Sequence, residues 1–194
     1  MILNSDDLGS MERRYRAAFV NSLSGFKAAN LVGTRDPDGN CNLAIMSSAV
    51  HLGSHPPLLA LVMRPDDAGQ HTLANILDSG VYSLNHVSEA FFKAAHQTAA
   101  RYPRGRSEFS EVGLTPLFEG DFAAPFVAES AIRIGLELRE HHKLAINGTN
   151  LVIGEIVLVD LPGESVDADG SVDIASAGTI TVSGLDSYHR VQAL

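Results

Sequence analysis

Two runs in the second half of the chain leave it little freedom. "AIRIGLELREHH" (131–142) alternates, with Ile132, Ile134, Leu136 and Leu138 on one side, and "NLVIGEIVLVDL" (150–161) is the longest strand-like stretch. "AINGTN", with its Asn-Gly pair, joins them. Side chains repeating every second residue line one face of a strand, and Asn-Gly is tight-turn chemistry. A chain that carries a hairpin this long must build an antiparallel sheet around it.

Other strands fit that sheet. "KAANLVGT" and "NLAIMSSAV", joined by "RDPDGN", make residues 27–50 read as a hairpin, the connector supplying Pro and Asp-Gly. "LLALVMR" (58–64) is continuously apolar and reads as a buried strand, while "VYSLNHV" (81–87) and "TITVSG" (179–184) complete six or seven strands. Three helices are expected among them. One is "SMERRYRAAFVNSLSG", capped by Ser10, with Met11, Tyr15, Ala18 and Phe19 on one face and Gly25 just past its end. The second, "HTLANILDSG", has Thr72 as N-cap, an apolar face of Leu73, Ile76 and Leu77, and Gly80 as stop. The third is "SEAFFKAAHQTAARY", capped by Ser88. "PDDAGQ" (65–70) reads as a loop, and Pro103–Pro125 as a long irregular segment that is functional or packed on a partner. Strands and helices do not alternate regularly, which excludes a doubly wound parallel sheet and favours a barrel. The chain reads as one domain over 1–194, with an N-terminal helix in 1–25 and a long loop at 103–125.

Composition removes several functions. At net charge -9 and with no basic cluster, general nucleic-acid binding is not expected. The single cysteine, Cys41, excludes an internal disulfide framework and a multi-cysteine zinc site. No apolar run is long enough for a transmembrane helix, so no membrane association is expected. "MILNSDDLGS" lacks the basic start and apolar centre of a signal peptide, which makes a cytoplasmic location the expectation.

The histidines attract attention first. In "SSAVHLGSHPP" (47–57), His51 and His55 would share a face only on a helix, which Gly53 and Pro56 oppose. In an extended segment they stand about 13 Å apart, too far to share one ion. His141 and His142 point to opposite faces of a strand. "DADGSVD" (167–173) places Gly170 too early for a calcium loop and reads as an acidic turn. No metal site is therefore assigned. Nothing in sequence marks Cys41 as an activated nucleophile, and no nucleophile elbow, dinucleotide fingerprint or Walker loop occurs. Arg64, ending a strand, and His71-Thr72, opening a helix, could together hold a phosphate monoester at the helix N-terminus. They could equally be a capped helix beside a surface arginine.

Several segments occur in a telling order: "NSLSGFKAANLVGT", "NLAIMSSAVHLGSHPPLLALVMRP", "HTLANI", "GVYSLNHV", "AHQTAARY", "SEF", "GLTP", "GTNLVIGEI" and "SGLDSYH". From about Ser22 to His189 the chain resembles the flavin reductase-like family, whose members bind FMN on a split β-barrel. The resemblance implies a mainly β, antiparallel split barrel with inserted helices. It implies that Asn42, Ile45, Met46, Ser47 and Ser48 line the flavin, largely through main-chain groups. It also implies that Arg64, His71 and Thr72 hold its phosphate, and it gives Asn85 a structural or supporting role. The implied activity is hydride transfer from NADH or NADPH, as a transient donor, to flavin N5. Electrons would pass on to free flavin, a partner oxygenase or another acceptor. A homodimer is implied, with flavin near the subunit interface and residues 103–125 contributing there. One departure stands out. Many members carry Gly-Asp-His where this chain has Gly148-Thr149-Asn150, so the histidine on the nicotinamide side is missing. His51, His141, His142 and Asn150 are the candidates to replace it. An FMN-carrying electron-transfer or binding protein without its own NAD(P)H turnover is the alternative.

Overall fold

The computed structural model describes residues 1–65, 71–103 and 105–193. Its strands are β1 (Lys27–Ala28), β2 (Asn30–Arg35), β3 (Cys41–Met46), β4 (Ala49–Ser54), β5 (Pro57–Met63), β6 (Val81–His86), β7 (Pro116–Leu117), β8 (Phe126–Val127), β9 (Arg133–Lys143), β10 (Asn150–Asp160), β11 (Thr181–Ser183) and β12 (Ser187–His189). Its helices are α1 (Ser5–Ser10), α2 (Arg13–Leu23), α3 (His71–Ser79), α4 (Phe92–Gln97) and α5 (Glu108–Val112).

The expected long hairpin is the spine of the fold. β9 and β10 pair antiparallel from Asn150↔Lys143 to Asp160↔Arg133. Around them runs a seven-stranded sheet in the order β3-β2-β6-β9-β10-β5-β4, every pair antiparallel. Its two edge strands, β3 and β4, follow one another in the chain with only Ser47 and Ser48 between them. A chain advances at most about 3.6 Å per residue, so Met46 and Ala49 are no more than about 11 Å apart. The sheet must therefore curl until its edges meet, and β3 and β4 close it without pairing. This is the antiparallel split barrel expected from the sequence.

The barrel is buried on both faces. Leu31 and Val32 are neighbours on β2, point to opposite sides, and are both fully buried. Val32 packs inside with Leu61, Tyr82, Leu84 and Val152, where Leu73 and Ile76 of α3 plug the interior. Leu31 packs outside with Leu43 and Ile180 beneath Phe91 and Phe109. Buried Asn85 ties the layers together. Its amide nitrogen donates to the Leu31 carbonyl at 3.0 Å and the Ser83 hydroxyl at 2.9 Å, and its oxygen accepts from the Val127 N–H at 2.9 Å. All of that side chain's bonds are internal, so its role is structural. Gly154 is set by close approach, because a Cβ there would overlap the Tyr82 hydroxyl.

Several local expectations are corrected. The hairpin expected over 27–50 is β2 with β3 only, in register Asn30↔Met46 to Arg35↔Cys41. β1 pairs with β11 instead, and β4 turns away to pair with β5. Ser10 does not cap the main N-terminal helix. It ends α1, and Glu12 caps α2 by accepting from the Arg14 and Tyr15 N–H groups at 2.8 and 3.1 Å. Ser88 caps nothing either: α4 begins after Phe91, with no side-chain cap. Thr72 lies inside the first turn of α3 rather than before it. The "irregular" 103–125 segment holds α5 and β7. "DADGSVD" is an acidic turn, with the Gly170 N–H donating to the Asp167 carbonyl at 2.9 Å. Within the expected loop at 65–70, residues 66–70 lie outside the described residues.

Candidate functional site

β3 is an edge strand, so every second N–H points away from β2. Two of these are occupied. The Leu43 N–H donates to the Glu108 carboxylate and the Ile45 N–H to the Thr98 hydroxyl, each at 2.9 Å. The same alternation turns the Ser47 N–H outward, and among the described residues nothing accepts from it. Ser48 is fixed instead: its hydroxyl donates to the Val62 carbonyl, and its carbonyl accepts from the Val62 N–H at 3.1 Å. The seam of the barrel is thus a half-buried pair of small residues, and among the described residues neither its Ser47 nor its Ser48 N–H has an acceptor.

Behind the seam the expected residues separate. Ile45 packs on the outer core and Met46 on the interior one. Asn42 is buried in a polar knot. Its amide nitrogen donates to the Thr34 hydroxyl at 3.2 Å and the Thr72 hydroxyl at 3.0 Å, while Asn75 donates to Thr34 at 3.1 Å. The Asn75 oxygen has no partner among the described residues. A small pocket opens over this knot at the start of α3, lined by Asn42, His71 and Asn75 with Cys41 and Arg106. Arg106 also reaches Glu111 at 3.4 Å. A larger cavity of about 350 Å³, between Arg35–Gly39 and Ala123–Ala124, contains none of the expected site residues.

Arg64 follows β5 and is exposed. Its carbonyl accepts from the Asn150 amide at 3.2 Å, and the Asn150 oxygen meets His141 Nε2 at 2.9 Å. Among the described residues no hydrogen bond or ion pair joins Arg64 to His71 or Thr72. His51 is exposed on β4 and His55 in the turn after it, while His142 pairs with Glu140 at 2.6 Å. Among the described residues no group of three His, Cys, Asp or Glu is placed to hold a metal ion. Burial pushes the Cys41 thiol up, so it stays protonated and unreactive.

Sequence reasoning missed Thr34, Asn75, Thr98, Arg106 and Glu108. Only Arg106 and Glu108 carried a signal, since both fall in the long segment singled out as functional or partner-bound. Burial pushes the Glu108 carboxyl above its ordinary value, and the Leu43 N–H opposes that rise. The folded protein then holds the proton more tightly than the unfolded chain. Glu108's contribution to stability is full below an unfolded-state value near 4.5 and declines as pH rises through the folded value. Glu108→Gln keeps an acceptor for Leu43 and removes the titration. Thermal melts across this range should show the wild type losing stability, relative to the variant, as pH rises. Parallel curves would refute the assignment.

A profile of the flavin reductase like domain matches residues 26–174. The chain belongs to this family. A crystal structure of a provisionally assigned flavin reductase with split barrel domain, from Shewanella frigidimarina, is 47% identical and superposes with a TM-score of 0.96, over 100% of this chain and 96% of that one. Nitrilotriacetate monooxygenase component B from Bacillus cereus shares the fold at 20% identity and a TM-score of 0.87, over 100% and 96% of the two chains. An uncharacterized protein of Aquifex aeolicus is 26% identical over 144 residues, 73% of this chain and 72% of that one. As a flavin reductase-like protein the chain is a flavin oxidoreductase in kind. No helix among its described residues is long and apolar enough to cross a membrane.

Proposed function

We propose that this protein binds FMN at the barrel seam and reduces it with NADH or NADPH, passing electrons to free flavin, a partner oxygenase or another acceptor. The observation that carries the reading is the unpaired Ser47 N–H between the two edge strands of a flavin reductase-like barrel. A flavin ring presents acceptor atoms along one edge, and an edge N–H beside small serines fits such a group. When bound, the flavin supplies the hydride chemistry, and the protein supplies position and electrostatics. Ser47 would donate its N–H to the ring edge, where negative charge grows on reduction. Ser48, anchored to Val62, would hold the strand so that the ring can approach backbone. Arg64, His71 and Thr72 would take the phosphate, with the N–H groups at the start of α3 adding the positive end of the helix dipole. Asn42 would act one step back, since its amide fixes the Thr72 hydroxyl. A homodimer in the cytoplasm completes the reading.

One observation favours the alternative, an FMN carrier with no turnover of its own. Asn150, standing where the resemblance expects histidine, is fully buried, with its amide bonded to His141 and to the Arg64 carbonyl. Anaerobic mixing of FMN-loaded protein with NADH or NADPH separates the two. Rapid bleaching of the flavin band is the expected result. No bleaching with either nucleotide leaves the carrier, and protein that stays colourless after FMN is added refutes both.

A further inference from the structure

A cavity of about 350 Å³ lies at the end of α3 opposite to His71 and Thr72. It opens between the turn joining β2 to β3, the last residue of α3 and the segment before β8. Small-molecule sites begin at about 300 Å³, so the space is large enough for one. Val81, Ala123 and Ala124 give it an apolar wall, and Arg35, Asp38 and Ser79 give it polar groups.

The Arg35 guanidinium is held in place. Its Nε–H donates to the Gly39 carbonyl at 3.1 Å, and its central carbon stands 5.6 Å from the centre of the Phe118 ring. Gly39 makes room for it: φ there is 90°, and a Cβ would stand 3.0 Å from Arg35 Nη2. An arginine fixed by its Nε and stacked on an aromatic ring keeps both Nη groups for a planar acceptor such as a carboxylate. The neighbouring Asp36 does not serve, because its two oxygens accept from the Asn40 N–H at 2.8 Å and the Asn40 amide at 3.0 Å. Among the described residues no carboxylate pairs with Arg35 and no cation with Asp38.

The cavity also has a negative side. Ser79 brings in the C-terminal end of α3, the negative pole of the helix dipole, and no basic residue in the last turn offsets it. Asp38 adds a full negative charge. A simple anion would gain Arg35 but be repelled by Asp38 and the helix end. A simple amine would leave the arginine fork without an acceptor. A molecule with both charges on a small apolar body satisfies every group.

We propose that this cavity binds a small zwitterion, an α-amino acid with an apolar side chain. Its carboxylate meets the Arg35 fork, its ammonium faces Asp38 and the end of α3, and its side chain lies on Val81, Ala123 and Ala124. The Ser79 hydroxyl donates to the Asn75 carbonyl at 2.7 Å, and the cavity wall has no thiol or imidazole, so the ligand is bound unchanged.

Calorimetric titration of the flavin-free full chain with L-leucine tests this independently of the cofactor reading. Saturable one-site binding is expected. Isocaproate, which lacks the ammonium, and isoamylamine, which lacks the carboxylate, should each bind about 10-fold more weakly or worse. Arg35→Gln should weaken leucine binding by a similar factor. Asp38→Asn, which keeps a residue suited to the turn, should weaken leucine about 10-fold and leave isocaproate no weaker. Both side chains are exposed, so thermal melts of the variants should stay near wild type. Absence of saturable heat with leucine, a truncated analogue that binds as tightly as leucine, or an Asp38→Asn variant that weakens leucine and isocaproate alike would overturn the proposal.

Discussion

Arg64→Ala is expected to weaken FMN binding about 10- to 100-fold, the worth of one charge-assisted contact to phosphate, while riboflavin binding stays nearly unchanged. The contrast follows from where Arg64 sits. Its main chain is held by Asn150, so losing the side chain removes a charge without releasing the strand end. The guanidinium is exposed, so the barrel core does not depend on it. Titrating both ligands against the variant by flavin fluorescence checks this, and equal loss for both would refute the phosphate role. Thr72 gives a less clean readout than its sequence position implies. Its hydroxyl is buried and accepts from Asn42, so Thr72→Val leaves a buried amide short of a partner at a cost of about 1–3 kcal/mol in folding. Thr72→Ser keeps both that acceptor and the hydroxyl that would meet the phosphate, so it serves as the control, with FMN binding expected to stay near wild type.

The difference between Arg64 and Thr72 shows what the sequence displays and what it hides. The β9-β10 hairpin was legible because alternation and an Asn-Gly turn are local signals. So was α3, whose Leu73 and Ile76 are buried, although Leu77 of the expected apolar face is 45% exposed. The caps were not. Glu12, rather than Ser10, accepts at the start of α2, because an intervening turn splits α1 from α2 and moves the first unpaired N–H groups. The site was legible only as a set of segments. Ser47 and Ser48 entered through the resemblance to the flavin reductase-like family. Their position at the meeting of two sheet edges comes from strand order, which no local pattern encodes. The knot of Asn42, Thr34, Thr72 and Asn75 draws on β3, β2 and α3, and spacing along the chain is silent about it. The apolar run 58–64 reads as a buried strand, and Ala60, Leu61 and Met63 are buried, yet Val62 between them is 40% exposed.

Gly33→Ala should cost more stability than any surface change, about 3 kcal/mol or more. The reason is space rather than backbone freedom, for Gly33 is not among the glycines of positive φ. It lies in β2, covered on both faces. A Cβ there would overlap the Pro125 carbonyl oxygen and stand 2.5 Å from the Ser83 hydroxyl. These two neighbours are bonded to each other at 2.6 Å, so neither can move without breaking a buried hydrogen bond. Pro125 in turn precedes β8, whose Val127 N–H is held by Asn85. A single methyl group therefore presses on the strut that fixes β8 against the barrel. The control is Gly163→Ala, where an added Cβ meets nothing within 4 Å, and the change should stay within about 0.5 kcal/mol. Urea unfolding of both variants gives the comparison. If Gly33→Ala shifts the midpoint no further than Gly163→Ala, the 124–127 segment is free to retreat, and the close packing of β2 against it is not what holds this end of the barrel.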